Sequence, residues 1–316
     1  VFVGEVVVDV TTWIDAFPAR GSDTLADAAT LTPGGGFNVM AAAARQGMAV
    51  LFAGRHGAGV AGDTVRAALA AEGIEVLRAA DRSADTGFVV TMVEPDGERT
   101  FVTSPAALRG TGDLGAVPVA PDDFVYVSGY GLASAHGPEL ADWVGSLGPR
   151  VTVIADPGSL VADLPRRLLD AVLARTDWWS CNRREATVLT GVADPAWAAV
   201  VLAGAGGGGG VMVRDGAAGC VLVHRTSPHV HRIAAPNVTA IDTTGAGDTH
   251  VGVFVAGLAA GRTPLDAARR ATVAASLSVT ARGPATAPGR DLLEEWLRTR
   301  PEGPAPAGRS VDPDAG

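Results

Sequence analysis

Residues 242–248 read Asp-Thr-Thr-Gly-Ala-Gly-Asp, and an apolar helical stripe starts directly behind them: Val251, Phe254, Val255 and Leu258 recur at i, i+3, i+4 and i+7. A helix that opens on this loop presents backbone N–H groups without intrahelical partners, and the partial positive charge there binds phosphate. Gly245 and Gly247, with Ala246 between them, let a phosphate approach the backbone with little side-chain obstruction. Asp248 stands beside that anion site. A carboxylate there repels a phosphate unless it has a use, and taking a proton from a nucleophile that attacks the phosphate is such a use. Capping the helix is the other role the position offers. The loop therefore predicts phosphoryl transfer, with Asp248 as general base and the backbone of Gly245, Ala246 and Gly247 as charge stabiliser.

Composition narrows the chemistry. All 25 basic residues are arginine. A Walker A lysine, a Schiff-base lysine and a protein-kinase strand lysine are therefore excluded, and phosphate must be handled by backbone N–H groups, arginine and metal. A net charge of -9 argues against a nucleic-acid partner or an anionic membrane surface. No apolar run reaches the ~18 residues of a membrane span, so the expectation is a soluble cytoplasmic protein. Cys181 and Cys220 form neither a CxxC nor a disulfide framework and read as buried thiols. His229 and His231 lack an accompanying carboxylate cluster, and His56 reads as structural or as part of a substrate rim.

The elements that must position this loop can be read from periodicity. Short apolar runs predict buried strands at Val1–Val10, Val50–Ala53, Phe124–Val127, Val151–Ala155, Trp178–Ser180 and Val211–Val213. Helical segments lie between them at Val39–Gln46, Thr64–Ala71, Leu140–Ser146 and Leu164–Leu173. This alternation implies an α/β fold with a mainly parallel sheet covered on both faces, and ligands at the carboxyl ends of its strands. Residues 87–93 and 99–103 flank Pro95-Asp96-Gly97 and read as a β-hairpin, which with residues 11–32 forms a small separate sheet. An edge hairpin of the main sheet is the alternative. Gly204–Gly210 reads as a helix-to-strand connection, and residues 301–316 as a disordered tail.

Three elements then converge on one family. Asp242-Thr243-Thr244-Gly245-Ala246-Gly247-Asp248-Thr249 resembles the C-terminal signature of the PfkB, or ribokinase-like, carbohydrate kinases. Pro33-Gly34-Gly35-Gly36-Phe37-Asn38 and the small-residue helix behind it resemble the N-terminal signature, and Asn182-Arg183-Arg184-Glu185 the Asn-x-x-Glu element. They occur in family order over roughly residues 1–297. The resemblance implies a three-layer sandwich at 1–300 with a mainly parallel central sheet. It also implies a small β-sheet lid formed by about 11–32 and 84–105, and a homodimer through that lid.

The resemblance also implies roles. Asp9, placed at the carboxyl end of the first apolar strand, binds substrate, and its carboxylate is able to accept from two sugar hydroxyls; ending the strand in a turn is the alternative. Gly34, Gly35 and Gly36 bring backbone close to the sugar, and Asn38 supplies a donor and an acceptor, or caps the following helix. Glu185 is the magnesium candidate, since that ion keeps much of its water and needs few carboxylates beside ATP phosphates. Asn182, three residues earlier, serves phosphate or metal, or a capping box. Arg214, Gly216 and Gly219 resemble the nucleotide-side loop, and Thr243 is placed with them at ATP. Asp242 and Thr244, with Arg282-Gly283-Pro284, resemble a monovalent-cation loop, which makes K+ an option.

Departures touch the substrate. Ribose-specific members carry an Asn two residues before the substrate Asp, where this chain has Val7. They also carry a Glu after the strand equivalent to Phe124–Val127, where this chain has Ser128-Gly129-Tyr130. The expectation is an ATP-dependent, Mg2+-assisted kinase acting on a small sugar. A nucleoside kinase of the same fold, and a non-catalytic sugar- or nucleotide-binding protein, are the alternatives. A Rossmann oxidoreductase is excluded because its fingerprint and downstream acid are missing.

Overall fold

A computed structural model describes residues 1–95, 98–104, 106, 112–205, 209–224 and 229–300. The expected tail 301–316 and the tip of the expected hairpin, Asp96-Gly97, lie outside the described residues.

The chain opens with β1 (Phe2–Val3), β2 (Val6–Ile14) and β3 (Ala26–Gly35), then α1 (Gly36–Arg45), β4 (Leu51–Phe52), α2 (Val60–Ala71) and β5 (Glu75–Val76). A hairpin follows, β6 (Phe88–Val93) and β7 (Arg99–Thr103). The middle alternates regularly: β8 (Phe124–Ser128), α3 (Gly129–Ala133), α4 (Gly137–Ser146), β9 (Thr152–Asp156), α5 (Arg166–Arg175), β10 (Trp178–Asn182), α6 (Arg183–Thr190), α7 (Pro195–Ala205) and β11 (Gly210–Arg214). Two further strands, β12 (Cys220–His224) and β13 (Val230–Ile233), precede α8 (Ala246–Ala259), α9 (Pro264–Ser278) and α10 (Arg290–Thr299).

The main sheet has the order β13-β12-β11-β10-β9-β8-β1-β4-β5. It is parallel from β11 to β5, while β12 and β13 add antiparallel. Those two strands were not foreseen from the sequence. Alternation along the strands sends side chains to opposite layers. Phe2, Phe52, Tyr126, Ile154, Trp178, Met212 and Leu222 pack with α1, α8 and α9. Their neighbours Val3, Ala53, Val127, Val153, Trp179, Val213 and Val223 pack with α4, α5 and α7. This is the three-layer sandwich that continuous apolar strands require.

The second sheet has four strands in the order β3-β2-β6-β7. The hairpin therefore belongs to this sheet and is not an edge of the main one. One expectation is corrected here. Val1–Val10 is not a single strand: it breaks at Gly4-Glu5, leaving two residues in the main sheet and sending Val6–Ile14 into the small one. Asp9 consequently sits inside β2, opposite Thr32 of β3, and not at the end of a main-sheet strand. An almost unbroken valine run carries no signal for such a break, because every position in it suits either sheet.

Close approach of α1 to α8 fixes the geometry between the two signatures. A Cβ at Gly252 would lie 2.4 Å from the Val39 carbonyl oxygen. Gly252→Ala must push these helices apart, with an expected cost of about 1–3 kcal/mol. Thermal unfolding should show this loss together with reduced turnover, because Asn38 and Asp248 ride on the two displaced helices.

Candidate active site

The loop before α8 is held by its own carboxylate. Asp242 accepts hydrogen bonds from the Thr244 N–H at 2.9 Å and the Gly283 N–H at 3.0 Å, stapling the 242–245 and 282–284 segments together. Gly245 is left-handed (φ 74°), and a Cβ there would lie 1.9 Å from the Pro284 carbonyl oxygen, so only glycine permits this turn. The helix starts at Ala246, so Ala246, Gly247 and Asp248 form its first turn, where N–H groups project outward. Arg282 lies 5.7 Å over the Trp13 ring, a cation–π contact from this loop to the small sheet.

Asn38 and Asp248, 210 residues apart, meet directly. Asn38 Nδ2 donates to Asp248 Oδ2 at 2.9 Å. Burial pushes the Asp248 carboxyl above its ordinary range; the Asn38 bond opposes the shift, and nearby Asp156 adds to it. Asp9 approaches from the small sheet. Its carboxylate occupies the space above Gly34, where a Cβ would stand 1.9 Å from Oδ2. Burial and, second, repulsion from Asp248 push Asp9 up to about 6. Gly35 is left-handed and Gly36 lies against the Phe2 ring, so the glycine cluster lets β3 run closely past β1 before α1 begins.

Arg214, at the end of β11, is the buried cation of the site. It donates to Asp156 Oδ2 at 2.7 Å, Ser180 Oγ at 3.1 Å and the Gly247 carbonyl at 3.3 Å, and stands 3.5 Å from Glu185 Oε2. The pairing with Asp156 and Glu185 holds its pKa high despite burial. Glu185 is itself buried and completes a capping box. Its oxygens accept from the Asn182 N–H and from Asn182 Nδ2, both at 2.7 Å, while Asn182 Oδ1 accepts from the Glu185 N–H at 2.9 Å. Burial, with Asp156 adding, raises the Glu185 pKa.

These groups face one cavity of about 530 Å³. Of the residues singled out from sequence, Asp9, Gly35, Gly36, Glu185, Arg214, Gly247 and Asp248 line it. Asn38 and Gly34 stand directly behind it, on Asp248 and Asp9. Asn182 is occupied as the cap of α6. Gly216 and Gly219 make a short 3-10 turn after β11, Gly219 packed so closely that a Cβ would meet the Ile233 carbonyl oxygen at 1.9 Å. Several polar cavity residues had no role assigned from sequence, among them Glu5, Tyr130, Asp156 and Ser159. Asp156 had a readable signal, since Asp-Pro-Gly directly follows an apolar run. Glu5 had none.

Each Glu185 oxygen already accepts one hydrogen bond and keeps a second acceptor site, so the residue fits a magnesium ion held through that ion's bound water. No group of three or more His, Cys, Asp or Glu suited to a resident metal occurs among the described residues. The His229 and His231 rings lie 6.4 Å apart, and Cys181 and Cys220 are buried and free. No single described helix is long and apolar enough to cross a membrane.

The profile of the pfkB family carbohydrate kinases matches residues 1–289. The uncharacterized sugar kinase YegV of Escherichia coli (strain K12) is 32% identical over 307 residues, covering 92% of this chain and 91% of that protein. Arabidopsis thaliana ribokinase is 28% identical over 300 residues, covering 90% and 76%. The structure of Arabidopsis ribokinase complexed with ribose and ATP superposes with a TM-score of 0.80 at 25% identity, over 94% of this chain and 97% of that one. Thermotoga maritima ribokinase has the same fold, with a TM-score of 0.80 at 23% identity.

The ion cluster makes a sign-specific prediction. Arg214→Met leaves Asp156 and Glu185 buried without their cation, a loss expected to cost about 3–5 kcal/mol. Glu185, whose pKa burial already raises, then lacks the cation that opposes the shift, so the folded state binds its proton more tightly than the unfolded chain and the variant gains stability as pH falls from neutral. Denaturant unfolding of wild type and variant across pH 5–8 should show their difference narrowing towards acid.

Proposed function

Because the chain belongs to the pfkB family of carbohydrate kinases, we propose that it moves the γ-phosphoryl group of ATP to a hydroxyl of a small sugar, with Asp248 as general base. The observation that carries this reading is the Asn38–Asp248 bond at the first turn of α8. It puts a proton acceptor of raised pKa beside a ready-made anion site, and fixes which way its carboxylate points.

The residues divide the work. Asp248 takes the proton of the attacking hydroxyl. The first-turn N–H groups of α8, reached past Gly245, Ala246 and Gly247, stabilise charge on the transferring phosphoryl group without reorganising. Asp9 and the Gly34–Gly36 backbone hold the sugar, and Asn38 orients the base. The nucleotide side is assigned to Arg214, Asn182, Gly216, Gly219 and Thr243. Glu185 would hold Mg2+ through water, and when bound that ion offsets phosphate charge. Asp242 and Thr244 border the place where K+ would sit, since the Asp242 staple brings both loops together there.

The small sheet is assigned as a lid. Its inner face carries Asp9, Val89, Phe101 and Thr103 into the cavity. On its outer face Leu31, Val10, Val90 and Val102 stand in one row across the four strands, with Leu31 and Val102 exposed, which supports self-association through the lid. A cytoplasmic enzyme remains the proposal for location.

Asp248→Asn keeps the shape and removes the base. The expected result is a fall in kcat of about two to four orders of magnitude with ATP binding little changed. Turnover within threefold of wild type in a coupled ADP assay would remove Asp248 from that role.

Substrate charge gives a second test. Among the described residues the arginine lining this cavity is Arg214, held by Asp156 and Glu185, while Arg55 lies in a separate cavity, paired with Asp81 at 2.9 Å. An unphosphorylated acceptor should therefore outperform fructose 6-phosphate. Asp9→Ala should cost about 2–4 kcal/mol in kcat/KM for that acceptor, the size of a lost charged partner to two hydroxyls. ADP release over free sugars, nucleosides and their phosphates reads both; preference for a sugar phosphate contradicts the assignment.

A further inference from the structure

We propose that Glu5 is a substrate-recognition residue of this site, whose Oε1 accepts a hydrogen bond from an O–H or N–H group of the phosphoryl acceptor. The inference rests on the kinase reading above and deepens it. Glu5 is only 8% exposed, yet it lines the cavity that holds Asp9 and Asp248. Its Oε1 is buried with no hydrogen-bond partner. Its other oxygen has a long contact with Ser128 Oγ, at 3.4 Å, and that hydroxyl already accepts from the Gly131 N–H at 3.2 Å. A buried carboxyl so poorly satisfied costs stability, and native structures keep such groups where something else completes them. Burial pushes it up to about 7, against hydrogen bonds from its own backbone N–H and from Ser128.

The placement defines the ligand. The Gly36 N–H donates to the Glu5 carbonyl at 2.9 Å, extending the β2–β3 pairing back by one residue. Strand alternation then sets Glu5, Val7 and Asp9 on one face, and all three line the cavity. Four residues of extended chain separate the Glu5 and Asp9 Cα atoms by about 13 Å. The two carboxylates thus address different ends of a bound molecule, with apolar Val7 between. Tyr130 and Phe101, both partly exposed at the mouth, offer aromatic faces to a ring. The ligand class is an uncharged polyol or glycosyl compound that carries a donor beyond the part held by Asp9. A phosphate or carboxylate at the Glu5 end is repelled.

The test compares wild type with Glu5→Gln on the best uncharged acceptor of the panel. The KM for that acceptor should rise at least tenfold, with kcat within threefold and the KM for ATP unchanged. The thermal midpoint should stay equal or rise, because an unsatisfied buried carboxyl has been replaced by an uncharged amide. A KM within twofold of wild type overturns the inference, as does a parallel loss of midpoint and kcat, which marks a structural role. Should Glu5→Gln fail to fold, Glu5→Asp retains the charge but retracts it by one methylene; an impaired KM supports recognition and a wild-type KM overturns it. Activity that Asp248→Asn abolishes but Glu5→Gln leaves untouched defeats this inference alone. A wild type that phosphorylates no acceptor defeats the kinase reading beneath it.

Discussion

A guanidinium buried at the end of β11 holds together carboxylates that would otherwise repel one another across the cleft. Arg214 bridges Asp156 from β9, Glu185 from α6 and the first turn of α8 through the Gly247 carbonyl. The carboxyl end of β9 and the first turns of α6 and α8 are thereby locked together. Desolvating so much charge is costly, and it is tolerated because the Asp156 pair is short, Ser180 Oγ accepts a further hydrogen bond from Arg214, and Asn182 donates to both Glu185 oxygens. Further along the cavity, no cation among the described residues is paired with Asp9 or Asp248, and burial raises the pKa of both.

The chain builds this contrast with backbone economy. Gly245 lets the 242–245 loop turn against Pro284, Gly34 makes room for the Asp9 carboxylate, and Gly252 lets α1 lie on α8 so that Asn38 reaches Asp248. Each is a position where the missing Cβ is the functional feature. The sequence has no lysine, and among the described residues the guanidinium lining the cavity, that of Arg214, is tethered by its own acid partners. Such a tethered cation presents a fixed charge with little reorganisation.

The parts of this site that were legible in sequence are those whose residues are contiguous. Asp242–Asp248 followed by an apolar helix, and the glycine run before Asn38, each carry a turn, a helix start and a polar group within ten residues. The sheet alternation was legible for the same reason. Contacts between distant segments were not. Arg214 and Asp156 are 58 residues apart, and nothing local in either says that they pair. Glu5 hid in an apolar run whose break at Gly4 changes sheets, so the face on which Glu5 and Asp9 stand depended on a topology that periodicity does not encode. β12, Cys-Val-Leu-Val-His, is an apolar run legible by the rule that gave the other strands, whereas β13, Val-His-Arg-Ile, is four residues with polar alternation and lacks a pattern distinct from loop.

A structure of the protein with a non-hydrolysable ATP analogue and an accepted sugar or nucleoside tests the central assignment most directly. The γ-phosphoryl group should lie on the N–H groups of the first turn of α8, and the acceptor hydroxyl about 2.6–3.2 Å from the Asp248 carboxylate. A γ-phosphoryl group bound away from α8, or an acceptor whose nearest carboxylate to the reacting hydroxyl is Asp9 or Glu5, would contradict it.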